Sequence, residues 1–211
     1  MLLFIFDMDD VLYDYDWRRR MAGMTGLTGL SLAELRERWW HDAGEWAAEA
    51  GEFDTADDYL AAFNAAVGVD VDESDWVRVR GEAMTPWQDS IAAVRRAAEF
   101  GRVTLLTNNG PLTSRHLRAL APELVPVFGD HLFTSSDYGA RKPDPEVFEA
   151  VLARYGVPAR DAFFADDLDL NVEGARAVGI TAHLFTGAPA LLAAIEDFAG
   201  AHVETARKAT K

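Results

Sequence analysis

The chain has 211 residues, 49% of them hydrophobic and 11% aromatic, with 20 basic and 35 acidic side chains, a formal net charge of −15 and no cysteine. That apolar content is too high for a disordered protein, and the length suits one domain, or one domain with a sizeable insert. The missing cysteine excludes a disulfide scaffold, a zinc ribbon and cysteine catalysis. The charge argues against nucleic acid, which needs a basic face, but not against a small phosphorylated ligand held by a local site.

The five histidines never form a close pair, so a histidine-based metal site is not expected. Met1–Phe6 is apolar but ends at Asp7, far short of the roughly 20 residues that span a bilayer, and it lacks the features of an export signal. A soluble cytoplasmic protein with no membrane partner is the expectation.

In chain order, Leu2–Phe6 is a continuous apolar run, the mark of a buried parallel strand. From Asp16 to about Met84 the pattern is helical. Ser31-Leu-Ala-Glu34 is a capping box opening an amphipathic helix through Trp39 and Trp46, and Thr55-Ala-Asp-Asp58 opens another. After Trp87 the pattern alternates: helix near Asp89–Phe100, strand Val103–Leu106, helix from Pro111, strand-like His131–Thr134, helix Asp144–Tyr155, strand Ala162–Ala165, helix Asn171–Val178 and strand Thr181–Phe185. Strands separated by helices indicate an α/β fold with a doubly wound parallel sheet and right-handed crossovers. Glu204–Lys211 is expected to be a frayed tail.

Composition supports a division. All six tryptophans fall between 17 and 87, and Glu49–Asp75 holds nine acids and no base. The expected organisation is a discontinuous α/β core, 1–13 with 89–211, and a helical cap, 14–88, reached through Tyr13–Asp16 and Met84–Trp87.

Ligands of such sheets bind beyond the carboxyl ends of the strands, and four polar clusters belong there. Asp7-Met8-Asp9-Asp10 follows the first strand, and its spaced carboxylates can divide the work of attack and proton transfer, or simply close a turn. Thr107-Asn108-Asn109-Gly110 offers a hydroxyl and backbone N–H groups to phosphoryl oxygens, and is equally a strong turn sequence. Lys142-Pro-Asp-Pro145 holds the single lysine in the body of a chain that otherwise uses 17 arginines; a lysine is a compact charge able to meet a phosphate oxygen and a carboxylate together. Asp166-Asp167-Leu168-Asp169 sets adjacent acids against one another, which a hard cation such as Mg²⁺ would relieve; a helix N-cap accounts for one acid but poorly for all.

Taken together, FDMDDV (6–11), LLTNNG (105–110), RKPDPEVF (141–148) and FFADDLDLNVEGARAVGI (163–180) resemble the haloacid dehalogenase superfamily, in its phosphatase branch with a helical cap after the first strand. The resemblance extends to the glucose-1-phosphatase type, through sugar-phosphate substrates. It implies a Rossmann-like core, Asp7 as the nucleophile forming an aspartyl phosphate, and Asp9 as proton donor and acceptor. It further implies that Thr107, Asn108 and Lys142 hold the phosphoryl group. Mg²⁺ would be bound by Asp7, the carbonyl of Asp9 and Asp167, with Asp166 in support. Asp9 favours phosphate over halide chemistry, because a halide leaves without a proton; phosphomutase, dehalogenase and non-catalytic binding are the rival readings. Two positions depart from the family pattern: Leu168, where relatives often carry a small polar residue, and Asp10, where many carry Gly or Asn. Cap candidates for reading the rest of a small phosphate ester are Trp17, Arg20, Trp40, Trp46 and Phe53, although tryptophans in a small helical bundle usually form its core. The acidic stretch 49–75 is expected to be a solvated face.

Residues 1–100 hold 21 acids against 9 bases, whereas 101–211 hold 14 against 11. Attraction for an anionic ester must therefore be local and opposed by the mean field. We expect kcat/KM for a phosphate ester to change less than about twofold between low and physiological salt, where a steered enzyme would lose about tenfold or more; a steep fall would contradict this.

Overall fold

The computed structural model describes the backbone of residues 1–209 and the side chains of residues 1–203. In order, the chain forms β1 (Leu2–Phe6), β2 (Tyr13–Tyr15), α1 (Trp17–Thr28), α2 (Leu32–Arg38), α3 (Ala47–Glu49), α4 (Ala56–Val67) and α5 (Glu73–Glu82). Then come β3 (Met84–Pro86), α6 (Gln88–Phe100), β4 (Gly101–Leu105), α7 (Pro111–Leu120), α8 (Val125–Phe128) and α9 (Pro145–Tyr155). β5 (Ala162–Asp166), α10 (Asp169–Ala177), β6 (Thr181–Leu184) and α11 (Ala188–Ala209) complete it. Of the expected tail Glu204–Lys211, residues 204–209 continue the backbone of α11, and the last two lie outside the described residues.

The main sheet has the order β4-β1-β5-β6, and all its pairs are parallel. Alternation along β1 sends side chains to both faces. Phe4 and Phe6 pack with Phe163 and with Ile91, Val94, Leu191 and Ile195 of α6 and α11. Leu3 and Ile5 pack with Phe164 and with Val147, Phe148 and Val151 of α9. Both faces are thus covered by helices, which is why β1 reads as an unbroken apolar run. The sheet's carboxyl edge is left for polar chemistry.

His131–Thr134, expected as a strand, is not one: it meets the sheet edge through an isolated bridge between Thr107 and Thr134 and a few backbone hydrogen bonds. The amide of Leu105 donates to the carbonyl of His131, and the amide of Ser135 to the carbonyl of Thr107.

Helices α1 to α5 gather around an apolar cluster of their own, built from Met24, Leu35, Trp39, Tyr59, Phe63, Val67 and Trp76. Leu112 of α7 belongs to this cluster too, so the insert rests on the rest of the molecule through shared apolar contact. The two connections, β2 and β3, pair as an antiparallel ribbon, with Asp14 opposite Thr85. The capping box at Ser31 and Glu34 is present, as is the Thr55 cap on Asp58.

The helix expected to run through Trp39 and Trp46 instead stops at Arg38, and Asp42–Trp46 forms a π-helical turn. The carbonyl of Trp39 turns away to accept the amides of His41 and Glu45. Gly44 lies so close to that carbonyl that a Cβ there would sit 2.0 Å from its oxygen. The break lets Trp39 enter the core at 2% exposure while Trp46 stays 46% exposed.

Phe63, fully buried, meets Trp39 edge-on at 5.4 Å and Trp40 at 6.1 Å. Phe63→Ala is expected to cost about 3–5 kcal/mol in urea unfolding. Leu170→Ala, at a site 75% exposed, should stay within about 0.5 kcal/mol. Equal effects would contradict this account of the insert's core.

Candidate functional site

Each of the four polar clusters lies at the carboxyl edge of the sheet or just beyond it. Asp7 follows β1, and its amide donates to the carbonyl of Ala165 in β5 at 3.0 Å. β1 and β5 are neighbours, so Asp7 and Asp166 emerge side by side. Oxygens of Asp7, Asp166 and Asp167 all lie within 4.8 Å of one another. The Nζ of Lys142 sits between the first two, 2.9 Å from Asp7 Oδ1 and 2.6 Å from Asp166 Oδ2.

Lys142 is 1% exposed and Asp166 fully buried, so each must be held by partners. Asp166 Oδ1 accepts from the amide of Leu168 and from Asn171 Nδ2, both at 2.9 Å. The side-chain amide of Asn108 fixes the backbone of the lysine loop: Asn108 Nδ2 donates to the Lys142 carbonyl at 2.8 Å, and the Lys142 amide donates to Asn108 Oδ1 at 2.9 Å. The side chain of Asn108 thus places the lysine. Thr107, 1% exposed, accepts from Asn109 Nδ2 through its hydroxyl at 2.9 Å.

Charge is not balanced here. Burial first, then Asp166 and Asp9, pushes the Asp7 carboxyl well above the ordinary range, against the pull of Lys142. Burial and the charges of Asp166 and Asp10 push Asp167 up to about 6. For Lys142, burial favours the neutral amine, but Asp166 and Asp7 outweigh it and raise its pKa. Three carboxylates against one ammonium make a donor set of hard oxygens with an excess of negative charge, which fits a divalent cation of the Mg²⁺ type.

Asp10 adopts a left-handed backbone, φ 56°, and its Oδ1 accepts from the amide of Tyr15 at 3.2 Å. This conformation favours Gly, Asn or Asp and so explains the choice of residue at that position. Leu168 is 55% exposed and contributes only its backbone to Asp166.

Asp9 turns towards the insert. Arg80 Nη2, from α5, lies 2.8 and 2.6 Å from its two carboxylate oxygens. The guanidinium is 3.9 Å from the centre of the Tyr15 ring. A cavity of about 190 Å³ opens beside Asp9, and Trp17, Arg20, Trp40 and Trp46 all line it, together with Glu45, Glu49, Trp76, Arg80 and Asn108. Phe53 does not: it packs against Trp39 and Tyr59 in the core of the insert.

Arg80 and Glu49 were not singled out by sequence reasoning. The available signal for Arg80 was its place four residues after Trp76 on a helix face that also carries Val79, all three buried. Glu49 lay inside a stretch expected to be solvated, yet its side chain is only 13% exposed and pairs with Arg141 at 2.7 Å. The acidic stretch is therefore not uniformly a surface: Asp57 and Glu73 also reach Arg115 of α7.

Burial, then the charge of Glu45, raises the Glu49 carboxyl from its ordinary 4.5 to about 7, against Arg141. A raised folded-state pKa means that the folded protein holds this proton more tightly than the unfolded chain. The stability it contributes is complete below the ordinary value and is lost as pH rises through about 7. Glu49→Gln cannot titrate, so it should gain stability relative to the parent by about 1–3 kcal/mol across that window in urea unfolding. A difference that does not vary with pH would contradict it.

The family model for haloacid dehalogenase-like hydrolases matches residues 1–179. The chain is 31% identical over 193 residues, 85% of each chain, to a protein of Mycobacterium tuberculosis (strain CDC 1551 / Oshkosh) named phosphatase MT3486. Among solved structures, it is similar to a haloacid dehalogenase (HAD) family enzyme of Bacteroides thetaiotaomicron in complex with magnesium and inorganic phosphate. There the TM-score is 0.71 at 18% identity, covering 87% of this chain and 93% of that one. A HAD phosphatase from Thermococcus onnurineus gives 0.60 at 24% identity, covering 86% and 85%. A 2-haloacid dehalogenase from Pseudomonas syringae pv. Tomato gives 0.58 at 21%, again covering 86% and 85%. These structural likenesses speak for the fold, and the family model together with the mycobacterial relative decides the rest: the chain belongs to the haloacid dehalogenase-like hydrolases.

Proposed function

We propose that this hydrolase is a Mg²⁺-dependent phosphatase of small phosphate monoesters that works through a phosphorylated Asp7. The observation that carries the reading is the convergence of Asp7, Asp166 and Asp167 around the buried ammonium of Lys142. The mycobacterial relative's name, a phosphatase, agrees with it, as does the magnesium and phosphate complex of the Bacteroides enzyme.

In this reading Asp7 attacks phosphorus, the ester oxygen departs, and Asp9 gives it a proton. Asp9 then takes a proton from water, which attacks the phosphorus of the acyl phosphate, releasing inorganic phosphate and freeing Asp7. Lys142, Thr107 and the amide of Asn108 hold the phosphoryl oxygens. Asp7, Asp167 and the carbonyl of Asp9, with Asp166 in support, would hold Mg²⁺, which when bound offsets the repulsion between two anions and the charge of the transition state. Lys142 meets the same need from the protein side.

Both oxygens of Asp9 are engaged by Arg80, so an oxygen must turn free before Asp9 can serve a leaving group. We assign that opening to movement of a helical cap, residues 14–88, over a core of 1–13 and 89–211, with the β2–β3 ribbon as its hinge. Closure would exclude water from the reacting group. Among the described residues no helix is long and apolar enough to cross a membrane. Sugar phosphates are one candidate class of substrate.

Phosphate release from an aryl phosphate tests this. Activity should require Mg²⁺ and fall by on the order of 10³-fold or more in Asp7→Asn. Turnover that survives the substitution, or ignores a chelator, would overturn the reading.

A further inference from the structure

We infer that the alcohol part of the substrate carries a carboxylate, which Arg20 binds with help from Arg80 in the cavity beside Asp9. This rests on the reading that Asp9 faces the leaving oxygen, since whatever is attached to that oxygen then continues into the cavity.

Arg20 is 3% exposed, and among the described residues no carboxylate lies within ion-pair distance of it. Its guanidinium lies 4.1 Å from the centre of the Trp76 ring, and its one hydrogen bond among the described residues runs from Nη1 to the Trp76 carbonyl at 2.9 Å. Arg80 is 2% exposed; it spends Nη2 on Asp9, while Nη1 is buried with no hydrogen-bond partner. Burying a cation with unused donors is costly unless an anion completes the set.

The acids of the same cavity do not complete it. Glu45 Oε2 accepts from the indole of Trp39 and the hydroxyl of Tyr59, each at 2.7 Å, and Glu49 is taken by Arg141. Glu45 Oε2 and Glu49 are thus occupied, and among the described residues Glu45 makes no ion pair with either arginine, which leaves guanidinium donors to spare on the other wall. A planar carboxylate matches the guanidinium fork in two parallel hydrogen bonds. The cavity of about 190 Å³ has room for roughly six waters, a size that suits a short hydroxy acid. Tryptophan rings on its walls suit the alkyl part.

The test measures binding without turnover. Tryptophan fluorescence of the Mg²⁺-loaded protein is titrated with 3-phosphonopropionate and with its neutral isostere, 3-phosphonopropionamide. The acid should bind at least about tenfold more tightly, and Arg20→Gln should bring the ratio to within about threefold. Equal affinities in the parent protein, or no binding of either, would overturn the inference even if the variant fails to fold, and so would a ratio that persists in Arg20→Gln. The phosphatase reading fails separately: no phosphate release from an aryl phosphate, with the tenfold ratio intact, would remove the reaction and leave the carboxylate site.

Discussion

A lysine ammonium buried between two aspartates organises this molecule. Lys142 has no solvent to fall back on, so Asp7 and Asp166 must be brought to it, and they come from adjacent parallel strands whose ends the sheet aligns. Removing one partner of such an arrangement typically costs about 3–5 kcal/mol. The surrounding hydrogen bonds serve to hold it: Asn108 grips the backbone of the lysine loop, while Leu168 and Asn171 occupy the other oxygen of Asp166. Close packing does the same from behind, where a Cβ on Gly174 of α10 would lie 2.4 Å from the Pro143 carbonyl. The excess of carboxylate over ammonium that remains is the electrostatic opening for a cation.

A second tier of charge joins the insert to the sheet edge. Arg80 reaches Asp9, Glu49 reaches Arg141, and Asp57 and Glu73 reach Arg115. The first two pairs are largely buried and border the cavity; the last two are exposed and worth little in water. The buried pairs between the insert and the sheet edge thus border the cavity beside Asp9, while the apolar contact with Leu112 and the Arg115 pairs lie elsewhere. The net charge of the chain has little part in this, because the groups that meet an anion are few and local.

Much of this could be read from the sequence, for identifiable reasons. Strand and helix periods were clear because both faces of the sheet are covered, and three of the four polar clusters stood out because each follows an apolar run, while the fourth opens a helix. A lone lysine among arginines pointed to Lys142. What escaped was long-range pairing. Nothing local distinguishes Arg80 from any helix arginine until Trp76 and Val79 are seen to share its buried face, and Glu49 was concealed by acidic neighbours that are solvated. Phe53 looked like a reader of substrate but serves the aromatic core of the insert. The break after Arg38 was missed because it depends on Gly44 approaching the Trp39 carbonyl, a contact with no periodic signature. The expected function of Asn108, a backbone donor, gave no hint that its side chain would fix the lysine loop.

Asp7 is the proposed nucleophile, and direct capture of its phosphorylated form tests that role best. The protein is mixed with Mg²⁺ and a rapidly cleaved aryl phosphate, quenched in acid within a turnover, reduced with borohydride and mapped by mass spectrometry. Acyl phosphate is the species borohydride reduces, so the account expects the Asp7 side chain converted to the alcohol in the substrate-treated sample alone. Reduction at another carboxylate, or an unmodified Asp7 in a sample shown to be turning over, would contradict it.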